Sequence, residues 1–263
     1  MSEWAFSPAW RAQLAQAGAR PPLRPRLPLL WRGQAVGTIE PDWLRAFQAA
    51  GGERFFELQG QHLACQAQDD AALAEMAQVM REAGLAGPWR NELLALDSDA
   101  GEPLGRIERA TVRPLALHTQ AVHLVGQAPD GRLWVQRRAL SKPNDPGLHD
   151  TLMGGMIAAA DGLQGALARE TWEEAGLRLE QLEDLRYGGP QRICKPSRDA
   201  QGMGYMRETL HWYRCTVPEG VVPVNQDGEV DGFDLLSPTE VVARLEAGQF
   251  TTEAALVLVA AFG

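Results

Sequence analysis

The chain has 263 residues, 45% of them hydrophobic, which is ample for a packed core in one large domain or two small ones. Its net charge of −9 at pH 7 and pI near 5.1 argue against a nucleic-acid or anionic-membrane surface, because no overall field attracts phosphate polymers. Three cysteines, Cys65, Cys194 and Cys215, are odd in number and lack C-x-x-C spacing, so free thiols in a reducing cytoplasm are expected rather than a disulfide framework or a zinc knuckle. No apolar h-region opens the chain and no run of about 18 apolar residues follows, so neither export nor a membrane span is expected.

In chain order, residues 8–18 read as a short helix, followed by the Pro/Arg-rich stretch RPPLRPRLP; together they suggest a solvated arm or lead-in. LPLLWRGQAVGTI predicts two short strands around Arg32-Gly33, and 41–50 a helix stopped by Gly51-Gly52. FFELQGQHLACQA predicts a second hairpin turning at Gly60, and 70–84 an amphipathic helix. Residues 1–112 thus read as a small α+β module with no catalytic cluster in it.

The remaining residues, 113–263, open on the strand ALHTQAVHLVG, which Asp130-Gly131 turns into RLWVQRRAL. A polar loop, SKPNDPGLHD, leads to TLMGG and a helix from Asp161 to about residue 175, ended by Gly176 as a left-handed cap. RETLHWYRCTV and GFDLLSP read as strands. Ser237-Pro238-Thr239-Glu240 is a capping box that opens a helix to about residue 248, and Thr251 or Thr252 caps a final apolar helix.

The helix that follows Asp161 carries the chemistry. Positions i, i+3 and i+4 share a helix face, so Glu170, Glu173 and Glu174 point into one arc that also holds Leu163, Ala166 and Leu167. The carboxylates therefore continue the face that turns toward the protein, where unpaired like charges are costly. A divalent cation removes that cost, and hard oxygen ligands suit Mg²⁺ or Mn²⁺ rather than zinc. Arg169, four residues before Glu173, can orient or partly neutralise it. Without its flanks, such a run is more often a solvated charged face.

The flanks decide between the two. The run resembles the signature of the Nudix hydrolases, G-x5-E-x7-R-E-U-x-E-E-x-G-U with U apolar: Gly155, Arg169, Glu170, Glu173, Glu174, Gly176 and Leu177 match in register. Six fixed polar or glycine positions at roughly 6% usage coincide by chance in about one chain of this length in 10⁵. Asp161 stands where the family has Glu, and Thr171 where an apolar residue is usual. The resemblance implies a Nudix α/β/α sandwich with a mixed sheet over 113–263, preceded by the α+β module. It also implies hydrolysis of a small diphosphate by water attacking phosphorus, with Mg²⁺ (or Mn²⁺) held by Glu170, Glu173, Glu174 and a backbone carbonyl at Gly154 or Gly155. The two glycines would let the main chain approach the diphosphate. Glu170 could serve as general base, as could Glu229 in DGEVDGF or Glu208 in MRETLHW.

The segments LWVQRRALSKPNDPGLHDTLMGG and DGEVDGF look like the Nudix subgroup related to the hydrolase part of fungal thiamine pyrophosphokinase fusions and its plant relatives. For that subgroup the implied activity is cleavage of thiamine diphosphate, or its oxo and oxy forms, to the monophosphate. Other readings are a nucleoside diphosphate substrate such as ADP-ribose or a dinucleotide, and a non-catalytic ligand-sensing module. Arg137, Arg138 and Lys142 precede the glycine turn and could grip the terminal phosphate, although strand alternation points only one of the two arginines inward. Trp134, Trp172 and Trp212 are candidates for stacking on the substrate's rings, with core packing as the alternative and the back face of the helix as the expected place of Trp172. The histidines lack metal spacing, with His149-Asp150 alone near the glycines in sequence. The first module could wall the pocket, mediate a homodimer, or both.

Overall fold

The computed structural model describes residues 4–263. Near the N-terminus, α1 (Pro8–Gly18) starts where the Ser7 hydroxyl accepts from the Trp10 N–H, with proline in the first turn. It is followed by β1 (Leu27–Trp31) and β2 (Gln34–Ile39), joined at Arg32 and Gly33, whose φ angles of 50° and 76° are the left-handed pair a tight hairpin requires. α2 (Pro41–Phe47) is capped by the Glu40 carboxylate, which accepts from the Trp43 N–H at 2.8 Å. It ends three residues before the position expected, because Gln48–Gly52 widens into a π turn that Gly51, at φ 91°, closes. β3 (Phe56–Gln59) and β4 (His62–Cys65) complete a four-stranded sheet in the order β2-β1-β4-β3, covered by α3 (Asp70–Glu82). Trp31, Trp43, Phe47, Leu73, Met76 and Met80 fill the space between them.

A ribbon absent from the sequence reading follows: β5 (Leu93–Asp97) with β6 (Pro103–Glu108). The large sheet then begins with β7 (His118–Gln127) and β8 (Leu133–Arg138), and continues through the short β9 (His149–Asp150) and β10 (Met153–Met156) to α4 (Gly162–Ala175). β11 (Glu183–Ser197) and β12 (Gly204–Thr216) are joined through a turn of helix, α5 (Asp199–Gly202); β13 (Val230–Leu236), α6 (Pro238–Glu246) and α7 (Thr252–Phe262) complete the fold. The strand order is β11-β12-β7-β8-β13, with β12 parallel to β7 and the other pairs antiparallel.

Alternation along β7 makes this sheet the middle layer of a sandwich. Ala121 and Val125 face α6, α7 and α1, whereas Val122 and Leu124 face Ala166 and Leu167 of α4. The first helix is therefore no solvated arm. Leu14 is buried, Trp4 stacks on Phe262 at 3.9 Å, and a side chain at Gly18 would collide with Leu256. Among the described residues no helix is long and apolar enough to cross a membrane, and all three cysteines are free.

Candidate active site

α4 ends where sequence pattern says it must, with Gly176 in the left-handed conformation at φ 63°. Its inward face carries Ala166 and Leu167 and then Glu170 and Glu174, which are 8% and 2% exposed. Glu173, on the edge of the same arc, stays half-exposed. Arg169 binds all the neighbouring acids at once: Asp161 at 2.7 Å, Glu173 at 2.8 Å and Glu170 at 3.0 Å. Asp161 thus serves as an anchor for Arg169, a task its shorter side chain performs.

Space for the buried carboxylates comes from β10. A Cβ built on Gly155 would lie 2.0 Å from the Glu170 carboxyl carbon, and one on Gly154 would lie 2.7 Å from the His123 ring. The two glycines therefore make room for this chain's own side chains. The Gly154 N–H donates to Glu174 at 2.9 Å, as does the Gln136 amide at 2.9 Å. Burial above all, then the charge of Glu174, pushes the Glu170 carboxyl up to about 8, with Arg169 pulling the other way. Burial likewise raises Glu174 to about 7, against the pull of Lys142 and its two hydrogen-bond donors. Among the described residues no three Asp, Glu, His or Cys side chains converge on one metal position, the counter-charges being Lys142 and Arg169. The donor set fits a hard divalent cation all the same: carboxylate oxygens, two of them buried, with their pKa values raised and a glycine-cut recess beside them.

The loop after β8 brings Lys142 in. Its ammonium pairs with Glu229 and lies 3.6 Å from Glu174, so it bridges the two acids. Although burial opposes it, Lys142 and then Arg90 and Arg109 hold the Glu229 carboxyl below its usual range. Arg138 points inward to Asp150 at 3.3 Å. Arg137 does not: it is exposed on the opposite side of β8, because Gln136 and Arg138 occupy the inward positions of the alternating strand. Glu208 lies within β12 and is buried against Arg113 at 2.8 Å and Thr119 at 2.7 Å, which depress its pKa against the effect of burial. It is a satisfied structural acid.

Glu170, Glu174, Glu229, Glu208, Lys142 and Arg138 line a chamber of about 170 Å³ that adjoins a second of about 320 Å³. Three tryptophans named from sequence line neither. Trp134 and Trp212 pack against the sandwich cores, and Trp172 is 44% exposed with the Arg178 guanidinium 5.0 Å above its ring. The histidines have ordinary partners: His118 with Thr209, His123 with Thr151, His149 with Asp234, and His211 with Tyr187. Asp150, noted in sequence for its nearness to the glycines, lines the smaller chamber and is held by Arg138 and Thr251. Arg90 and Arg109, unseen in the sequence, reach in from the N-terminal sheet's side of the molecule. No local pattern marks these, since each belongs to a different strand or turn.

The NUDIX domain model matches residues 117–256, more than half of the chain, and the chain belongs to that family. It is 29% identical over 184 residues to Nudix hydrolase 20, chloroplastic, of Arabidopsis thaliana, covering 68% of this chain and 48% of that protein. Nudix hydrolase 24, chloroplastic, of the same plant is 27% identical over 231 residues, covering 82% of this chain and 60% of that protein. The chain thus spans about half the length of the curated relatives it matches. In fold it is similar to the DR0079 protein of Deinococcus radiodurans, with a TM-score of 0.52 at 22% identity over 65% of this chain and 99% of that one.

Proposed function

We propose that this chain is a divalent-metal-dependent hydrolase of a small-molecule diphosphate, cleaving thiamine diphosphate or its oxo and oxy analogues to the monophosphate and phosphate. The observation that carries the reading is the pair of buried carboxylates on α4. Glu170 and Glu174 are raised to about 8 and about 7, so their ionised forms gain from a cation that the protein itself only partly supplies. Glu170, Glu173 and Glu174 would hold Mg²⁺ or Mn²⁺, with the Gly154 carbonyl beside them. The bound ion supplies Lewis-acid stabilisation and a more acidic water.

The other roles fall to this chain's own side chains. Arg169 orients Glu170 and Glu173. Glu229, kept ionised by Lys142 and Arg90, is in the state a general base requires. Lys142 and Arg138, which line the chamber beside α4, offer N–H donors to phosphoryl oxygens. Residues 113–263 form the catalytic domain and 1–112 a module that walls its pocket. The thiamine reading rests on RRALSKPNDPG and DGEV, the runs that carry the subgroup resemblance, and a reducing cytoplasm suits the three free thiols.

The test is a panel of diphosphates offered with Mg²⁺: thiamine diphosphate, its oxo form, ADP-ribose and a dinucleotide, with phosphate or monophosphate release measured. Preference for the thiamine compounds supports the reading, and preference for a nucleotide moves it to the nucleoside diphosphate alternative. No turnover across the panel overturns it. Glu174→Gln should lower turnover by about 10²-fold or more, the scale of losing a positioned charge at the reacting centre; unchanged turnover would remove the role given to α4.

A further inference from the structure

The two chambers adjoin at a neck, and the arginines Arg90 and Arg109 line both of them. Both come from residues 1–112: Arg90 from the turn between α3 and β5, Arg109 from the 3-10 turn after β6. Each has one side-chain bond. Arg90 Nη1 reaches Glu229 at a long 3.4 Å, and Arg109 Nη1 donates to Glu92 at 2.6 Å. A guanidinium carries five N–H donors in a planar fork, so most of the donors of both side chains are uncommitted. Both remain about a third exposed, at 35% and 34%, beside the cavity. Arg113, the third arginine of the neck, shows what a committed one looks like: it is 10% exposed and divided between Glu208 and Thr119.

A substrate whose anhydride lies at Glu170 and Glu174 and whose remainder extends into the adjoining chamber spans this neck. The phosphoryl oxygens just outside the carboxylate pair then lie beside two forks whose geometry matches them. We propose that Arg90 and Arg109 bind a phosphoryl group of the substrate, a clamp that the N-terminal region contributes to the catalytic chamber. The proposal rests on the diphosphate-hydrolase reading above. It makes residues 1–112 part of the active site and gives them a say in which diphosphates are accepted.

The full chain with Mg²⁺ is titrated with inorganic pyrophosphate by calorimetry, in the native form and as Arg90→Gln, Arg90→Lys and Arg109→Lys. Loss of a charged hydrogen-bond donor should weaken pyrophosphate binding by about tenfold in Arg90→Gln, and by less in Arg90→Lys, which keeps the charge but loses the fork. Arg109→Lys keeps a partner for Glu92 and should also weaken binding, since an ammonium cannot form the fork. With a substrate from the panel, KM should rise by a similar factor. A fall in kcat with unchanged KM and unchanged pyrophosphate affinity would mean that Arg90 acts only through Glu229, and would overturn the clamp. If no diphosphate turns over, the hydrolase reading fails by itself, and the pyrophosphate titration still decides the clamp: weakened binding in Arg90→Gln supports it and unchanged binding overturns it.

Discussion

Two buried carboxylate sites line the same chamber and are built on opposite plans. Glu208 arrives with its own counter-charge: Arg113 and Thr119 satisfy it within the fold, and its pKa is depressed although it is buried. Glu170 and Glu174 are equally deep, yet Arg169, Lys142, Gln136 and the Gly154 amide leave their pKa values raised. A structural acid brings its partner with it, whereas the α4 pair is under-compensated by the protein and suited to an added cation.

The sharpest way to break this contrast is to neutralise each site in turn. Glu208→Gln strands the buried Arg113 and should destabilise the chain by about 3–5 kcal/mol, the cost of removing one partner of a buried pair. Glu170→Gln in metal-free protein should leave stability equal or higher, because the fold already favours the uncharged form of this side chain. Urea melts of both variants measure this; equal destabilisation would erase the distinction.

A smaller effect follows from pH. Groups whose folded pKa is raised above the unfolded value near 4.5 bind more protons in the native state, so stability falls as pH climbs toward the folded pKa values of about 8 and about 7. Between pH 7 and 8.5, metal-free protein should lose on the order of 1 kcal/mol. Glu170→Gln should flatten that slope, and Mg²⁺ should offset it. A slope unaffected by either would show that the α4 pair is not its source. The smallest change is expected on the back of the helix, where Trp172→Ser should lower stability by about 0.5–1 kcal/mol, the half-exposed ring losing its contact with the Arg178 guanidinium.

Much of the site was legible because it is local. The spacing that sets Glu170, Glu173 and Glu174 on one arc, the glycine that ends α4, and the capping box of α6 depend only on helix period and backbone satisfaction. The inward turn of only one of Arg137 and Arg138 also follows from strand alternation, but which of them turns in depends on the pairing register of β8. β11 escaped notice because its EDLRYGGPQRICKPS run holds two glycines and two prolines; its pairing with β12, bulged near Gly189, overrides that local preference.

What lies beyond the sequence is every relation between distant segments. The first helix looks like a polar lead-in and is held by Phe262 and Leu256 at the far end of the chain. Gly154 and Gly155 look like ligand-facing turn residues, yet the structure gives their missing side chains to His123 and Glu170. Arg90 and Arg109 sit in no motif and still reach the chamber. The chemistry of the α4 face is written in the chain, because a helix sets the spacing of its own side chains. How deep those carboxylates sit and which cations surround them came from the packing of distant segments, because burial and electrostatics depend on neighbours that chain order does not name.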